Sequence, residues 1–366
     1  MSFSTQSENR RLKLSRYKTL NNKYLKVRLK PEISVIVVVH DRRNFIKECI
    51  NSVLSQTIEK DLYEIIVVKN YEDSGIDLYL SSNDVKVINT CEVAVGAKLA
   101  LGIIASQGRI ISFLEDDDLY LPHKLETIIK KFNSVAINYY HHQVNFINYA
   151  GQSIENEFLY EGKNQVISRP LDIREFQEAG KYWLYFNMSS ISVKRSTLTS
   201  RLHDLSSVVK SPDAFVFFIC ADEGGILILD CEILSNYRIH KNSSSNKKIS
   251  NLPEFISFRK SWVLSNIQEG MILAASIRNS EWSMPLRYDI LREKVTAYLL
   301  GYHEMAIKKD EMLELFRIMI RNSFNIKERV DQLYHIFFIL LSLLSKKNVQ
   351  KIYSLRLYKH HRSKII

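Results

Sequence analysis

The sequence has 366 residues, 46% of them apolar and 25% charged, which is enough for one large or two smaller folded domains and excludes a disordered chain. Of the net charge of +11, residues 1–30 carry +8 and residues 345–366 carry +7, which leaves −4 for the body between two basic ends. Cys49, Cys91, Cys220 and Cys231 are far apart and form no Cys-x-x-Cys pair. That argues against a zinc site or a disulfide framework and fits a reducing compartment. No charged-then-apolar leader opens the sequence, and the apolar run Leu333–Leu344 contains His335 and Ser342 and is too short to span a bilayer. A cytoplasmic location is expected, with basic ends suited to peripheral contact with anionic membrane at the inner face of the cell membrane. Nucleic acid is disfavoured as a partner, because the positive charge is confined to the ends with no aromatic-and-basic motif between them.

Ile33–Val39 (ISVIVVV) is a continuous β-branched run, the pattern of a strand buried on both faces. Helical spacing follows over Asn44–Ser55, then a second apolar run at Glu64–Val68 and a shorter strand candidate at Val85–Ile88. Ala97, Leu99, Ala100, Ile103 and Ile104 predict a helix, with Gly108 as its stop. Arg109–Leu114 is the next strand and Pro122–Phe132 the next helix, Pro122 falling in its first turn. Residues 135–200 are rich in Tyr and Asn and carry no clear pattern. Beyond residue 251, helical patterns recur around Trp262–Ile272 and in Leu291–Leu300, Met312–Ile320 and Gln332–Leu344.

Strands alternating with helices of this length predict a doubly wound parallel sheet, which binds ligands outside the carboxyl ends of its strands. Those ends carry His40-Asp41-Arg42, Lys69-Asn70 and Glu115-Asp116-Asp117-Asp118. The first strand is followed by HDRRNF, not by a Gly-x-Gly-x-x-Gly turn, and no Gly-x-x-x-x-Gly-Lys-Ser/Thr loop is present. Four consecutive carboxylates repel one another by roughly 4 kcal/mol per pair at 4 Å and surface dielectric. Either they favour the positive end of the following helix, or they hold a hard cation such as Mg²⁺ or Mn²⁺ shared with substrate phosphates.

The segments ISVIVVVHDRRNFIKECINSVLSQT, YEIIVVKN and GAKLALGIIASQGRIISFLEDDDLYLPHKLE together resemble glycosyltransferase family 2 on the GT-A fold. The resemblance implies a GT-A-type, doubly wound, mostly parallel α/β sheet with an appended helical C-terminal segment. The expected divisions are a basic arm at 1–30, a GT-A domain at 31–250 and a helical region with a basic tail at 251–366. The resemblance also implies a donor site at Val39, His40, Asp41, Arg42, Asn70, Lys98, Glu115, Asp116 and Arg238. Its Asp-x-Asp position is filled by Glu115-Asp116-Asp117, so the metal ligands implied are Asp117 and Glu115, with His240 of Tyr237-Arg238-Ile239-His240. Asp213, after Pro212 at the start of an apolar helix, matches the catalytic base; Asp222 and Glu223 are weaker candidates. Asn187–Ile191 resembles an acceptor-side segment, while Trp183 reads as a packing residue.

The departures from the family pattern are Val38 for a common Pro, His40-Asp41 for Tyr-Asn, Lys69-Asn70 for Asp-Asp, Leu99 for Arg and Pro212 for the acid before the base. The implied reaction is metal-dependent, inverting transfer from a nucleotide sugar to a hydroxyl of a glycan or lipid-linked acceptor. Two alternatives are a nucleotidyltransferase and a nucleic-acid-binding protein with a vestigial transferase domain.

Overall fold

The computed structural model describes residues 30–39, 43–155, 163–240, 251–322, 324 and 326–363. The expected donor residues His40, Asp41 and Arg42, most of the basic arm, the expected boundary at 241–250 and the last three residues lie outside the described residues.

The run Ile33–Val39 forms strand β1, buried along its whole length. Its alternate residues serve two separate cores, which is why the run has no polar face. Ile33, Val35, Val37 and Val39 join the core that contains Ile46, Cys49, Ile50 and Val53 of helix α1 (Ile46–Leu54). Ile36 and Val38 join the larger core on the other side. β1 pairs in parallel with β2 (Tyr63–Lys69) and β4 (Ile110–Glu115), and β2 with β3 (Lys86–Asn89). Helix α2 (Ser74–Ser82) connects β2 to β3, and α3 (Val95–Ala105) connects β3 to β4. Apart from α2, which the sequence reading did not include, these are the elements that periodicity predicts, within two or three residues at each end. Gly108 is not the helix stop, since α3 ends at Ala105. A Cβ at Gly108 would lie 2.6 Å from the Ser34 backbone nitrogen, so this glycine is there for close approach to β1.

After β5 (Leu119–Tyr120) and α4 (Lys124–Ser134; Pro122 falls just before its cap, not in its first turn) the described residues of the stretch without clear pattern form regular elements. It contains the eleven-residue strand β6 (Ile137–Ile147), β7 (Gln165–Ile167), helix α5 (Ile173–Tyr185, broken at Gly180) and β8 (Ile191–Lys194). The short helices α6 (Arg195–Thr199) and α7 (Leu202–Ser206), then α8 (Pro212–Asp222), lead to β9 (Ile226–Arg238). The sheet runs β3-β2-β1-β4-β8-β6-β9-β5, with β7 on β9. β8 is antiparallel to both β4 and β6, so the second half is mixed, whereas β1 to β4 are all parallel.

β6 escaped sequence reading because its polar residues are buried and each of its central tyrosines and histidines makes at least one hydrogen bond, which erases alternation. Tyr139 donates from its hydroxyl to the Leu184 carbonyl at 2.8 Å and Tyr140 to Asp230 at 3.0 Å. His141 donates from Nε2 to the Phe186 carbonyl, and His142 from Nδ1 to the Gln143 carbonyl at 2.8 Å. Burial holds His141 at about 4 and His142 well below the ordinary imidazole value, so both are neutral in the folded chain. Between pH 6.5 and 4 the unfolded chain takes up protons that the folded chain does not, so stability falls as pH drops through that window. For His141 the loss reaches roughly 3 kcal/mol by pH 4. Urea unfolding across the window should show it, and His141→Gln, which can still donate to Phe186, should remove most of that part.

Helices α9 (Leu252–Ser276), α10 (Ser280–Leu299), α11 (Lys309–Arg321), α12 (Ile326–Leu344) and α13 (Lys346–Ser363) follow. They share the larger core with the sheet: Phe217 of α8 meets Trp282 of α10 edge to face at 6.1 Å between ring centres.

Candidate active site

β4 carries its apolar run to the crevice between β1 and β4, where the helices before and after change faces, and the acidic turn begins with Glu115. Among the described residues, carboxylate oxygens of Glu115, Asp117 and Asp118 lie within 4.8 Å of one another. Asp116, Asp117 and Asp118 are all buried. Such crowding persists only if the surroundings over-determine it, and here they do.

Asp118 is gripped at both oxygens, accepting from the Arg238 backbone N–H at 2.8 Å and from Asn187 Nδ2 at 3.0 Å. The Glu115 N–H donates to Ser189 Oγ at 3.0 Å. His240 Nε2 lies 2.9 Å from Asp117 Oδ2. Arg238, 1% exposed, donates from Nε to the Asp117 carbonyl at 2.8 Å, from Nη1 to the Tyr149 carbonyl at 2.9 Å and from Nη2 to Glu48 at 2.8 Å. Its guanidinium also stacks over Phe45, 4.5 Å from the ring centre. Arg238 therefore clamps the turn through protein groups. His240 likewise sits beside Asp117, outside the three-carboxylate group.

Lys124, from the first turn of α4, is fully buried beneath the turn and donates to the Ser189 carbonyl at 2.5 Å and to Ser235 Oγ at 3.0 Å. Burial pulls its pKa well below the ordinary lysine range, against a smaller opposing pull from Asp118. The negative field of the turn is felt across the crevice. Burial, reinforced by Asp116, Asp118 and Asp117, pushes the Cys49 thiol well up, and burial with Asp116 pushes Tyr71 up to about 12.

At the end of β1 the buried Val39 offers its carbonyl to Lys98 Nζ at 2.9 Å. At the end of β2, Lys69 is fully buried, bonded to the Tyr71 carbonyl at 2.5 Å and paired with Asp77 at 2.9 Å. Asn70 Oδ1 and the Tyr71 hydroxyl are buried polar atoms that find no hydrogen-bond partner among the described residues. Orphan polar atoms of that kind are rare and call for an explanation.

Asp213 stands in the first turn of α8, where Pro212 occupies a position that needs no N–H, and its Oδ1 accepts from the Ala214 N–H at 2.8 Å. It lies in electrostatic reach of Tyr139, whose hydroxyl anchors Leu184. The same 184–187 segment packs on the middle of α8 through Tyr185 against Phe217 and reaches the acidic turn through Asn187. Asp222 is committed elsewhere, accepting from the Arg278 and Asn279 N–H groups and pairing with Arg201; Glu223 also pairs with Arg201. Both weaker base candidates thus join α8 to α9 and α10. Trp183 is 2% exposed and packs edge-on to His141, in keeping with a packing role.

Residues 34–191, which run from β1 to the first residue of β8 and include the whole acidic turn, match the model for "Glycosyl transferase family 2". These residues form a glycosyltransferase family 2 domain. Its sheet has a parallel half, β1 to β4, and a mixed half, with C-terminal helices appended. An uncharacterized glycosyltransferase of Nostoc sp. is 26% identical over 57% of this chain, and one of Rickettsia bellii is 34% identical over 28% of it. The chain spans 65% of the first relative and 16% of the second. Among solved structures, S. aureus TarS 1–349 in complex with UDP-GlcNAc covers 75% of this chain and 87% of its own at 11% identity, with a TM-score of 0.48. The family 2 match stops before Asp213, Arg238 and His240, so the roles of those three rest on this chain's own geometry.

Proposed function

We propose that the chain is a metal-dependent, inverting glycosyltransferase that moves a sugar from a nucleoside diphosphate donor to an acceptor hydroxyl. The observation that carries this reading is the acidic turn at the end of β4 in a family 2 domain, three carboxylates held together by buried hydrogen bonds. An all-carboxylate donor set suits Mg²⁺ or Mn²⁺. Asp117 and Glu115 would hold the ion, while Asp118, with both oxygens already engaged, braces the turn. When bound, such an ion would offset the charge on the leaving diphosphate.

The remaining work falls to side chains. Asp213 takes the proton from the acceptor hydroxyl as that oxygen bonds to the anomeric carbon, and the bond to the diphosphate breaks on the opposite face. His240 and Arg238 keep Asp117 in place from two sides, one at the carboxylate and one at the carbonyl. The orphan Asn70 Oδ1 and Tyr71 hydroxyl are suited to the edge of the donor's base. Lys69, tied to Asp77, takes the place of an acid in the family pattern, which disfavours uracil. The catalytic unit is residues 31–250, with 251–366 as an appended helical unit. The acceptor we infer is a hydroxyl of a glycan, carried on a lipid at the inner face of a membrane.

A panel of uridine-, guanosine- and thymidine-linked sugars, titrated by calorimetry with Mg²⁺, Mn²⁺ or a chelator, tests the donor side. One donor should bind only with the metal present. Binding of every donor regardless of metal, or of none, would remove the acidic turn from the reading.

A further inference from the structure

We infer that the terminal hairpin of α12 and α13 is a docking surface for an anionic lipid bilayer. On α12, Val330, Leu333, Phe337, Leu340 and Leu344 recur at intervals of three and four residues, and each is 54–84% exposed. They form one continuous stripe. The opposite side of the same helix is the packed one, with Gln332 bonded to the Tyr288 hydroxyl and Phe338 against Tyr353 of α13. From Leu333 to Leu344 the helix has no Lys, Arg, Asp or Glu, and its His335 is turned to Asp331 and Tyr353. An apolar face of this length is rarely left to water in a protein that has no use for it.

What covers it is indicated by the helix that follows. α13 turns back along α12 after Ser345, and residues 345–363 contain six Lys/Arg and no acid. Lys347, Lys351 and Lys359 are exposed, and Ile352 at 55% adds apolar surface to the same hairpin. Apolar residues from Leu333 to Leu344 followed by cations, with no carboxylate from residue 332 to 363, match the interface of an anionic bilayer, where the apolar stripe enters the acyl boundary and lysines meet headgroup phosphates. No described helix is long and apolar enough to cross a membrane, so the hairpin would lie on the surface. A second copy of the chain is a poorer occupant. Pairing two such hairpins would bring like charges together, and the positions flanking the stripe, Tyr334, Ile336 and Leu341, offer no charged pairs to set a helix register.

The surface deepens the reading of a lipid-linked acceptor but is tested without transfer, so failure of one leaves the other standing. The full chain is floated with vesicles of phosphatidylcholine alone and of phosphatidylcholine with phosphatidylglycerol. Binding is expected on the anionic vesicles only, weakened by added salt, and reduced at least about tenfold by Phe337→Ser/Leu340→Ser/Leu344→Ser. Lys347→Glu/Lys351→Glu should weaken it as well. The replaced side chains are exposed, so the melting temperature serves as the control for folding. Equal flotation of both variants and the wild type would place binding elsewhere, for instance on the basic N-terminal arm, and overturn the proposal. So would equal binding to both vesicle types, or a concentration-dependent dimer that the apolar variant abolishes.

Discussion

Asp213→Asn is expected to lower the rate of sugar transfer by at least about a thousandfold, the range in which positioned general bases act, while donor affinity stays unchanged. The amide is nearly isosteric, and its oxygen can still accept the Ala214 N–H, so the start of α8 should keep its shape. The two readouts are steady-state transfer and donor binding by calorimetry. Loss of both would mean that the substitution had disturbed the start of α8 and not only the proton transfer. Near-normal turnover would disqualify Asp213 as the base. Asp222 and Glu223 could not readily replace it, because Arg201 and the N–H groups at the start of α10 already hold them.

Asp117→Ala is expected to abolish metal-dependent donor binding, with a fall in affinity of at least about a hundredfold, because on the proposed reading it removes one of two anionic ligands from a site that would share its ion with the diphosphate. Asp117→Asn separates the charge from the geometry. Its amide can still meet His240, and the Asp117 carbonyl still accepts from Arg238, so the turn should persist while the ion is lost. Binding is compared at several Mn²⁺ concentrations, and thermal unfolding checks the fold. If Asp117→Asn bound the donor with the same Mn²⁺ dependence as the wild type, the ion would have to sit elsewhere. Mere destabilisation without a change in Mn²⁺ dependence would make the acidic turn a structural device.

The parallel half of the sheet was legible because its physics is local. ISVIVVV becomes β1 with no shift of bounds, and the carboxylates land at the end of β4, where an apolar run stops and charge begins. The convergence of Val39, Asn70 and the acidic turn on one edge follows from strand direction alone. β6 was not legible. Two histidines and three tyrosine or glutamine residues in its middle read as surface, and only their distant partners at Leu184, Phe186 and Asp230 make burial tolerable. α13 escaped notice too, because a helix with so many cations shows its apolar side, Val349 and Tyr353, only against α10 and α12.

The sequence by itself determined which residues carry charge to the crevice, since strand and helix periods place strand ends on one edge whatever the rest of the chain does. It could not assign the partners of those charges. Arg238 and His240 lie more than 120 positions from Asp117 along the chain, and nothing in local pattern distinguishes a guanidinium that grips a backbone carbonyl from one that awaits a phosphate. Tertiary packing supplies the protein partners, because a buried cation needs acceptors for its N–H groups, and those nearest to Arg238 are the Asp117 carbonyl, Glu48 and the 148–149 turn.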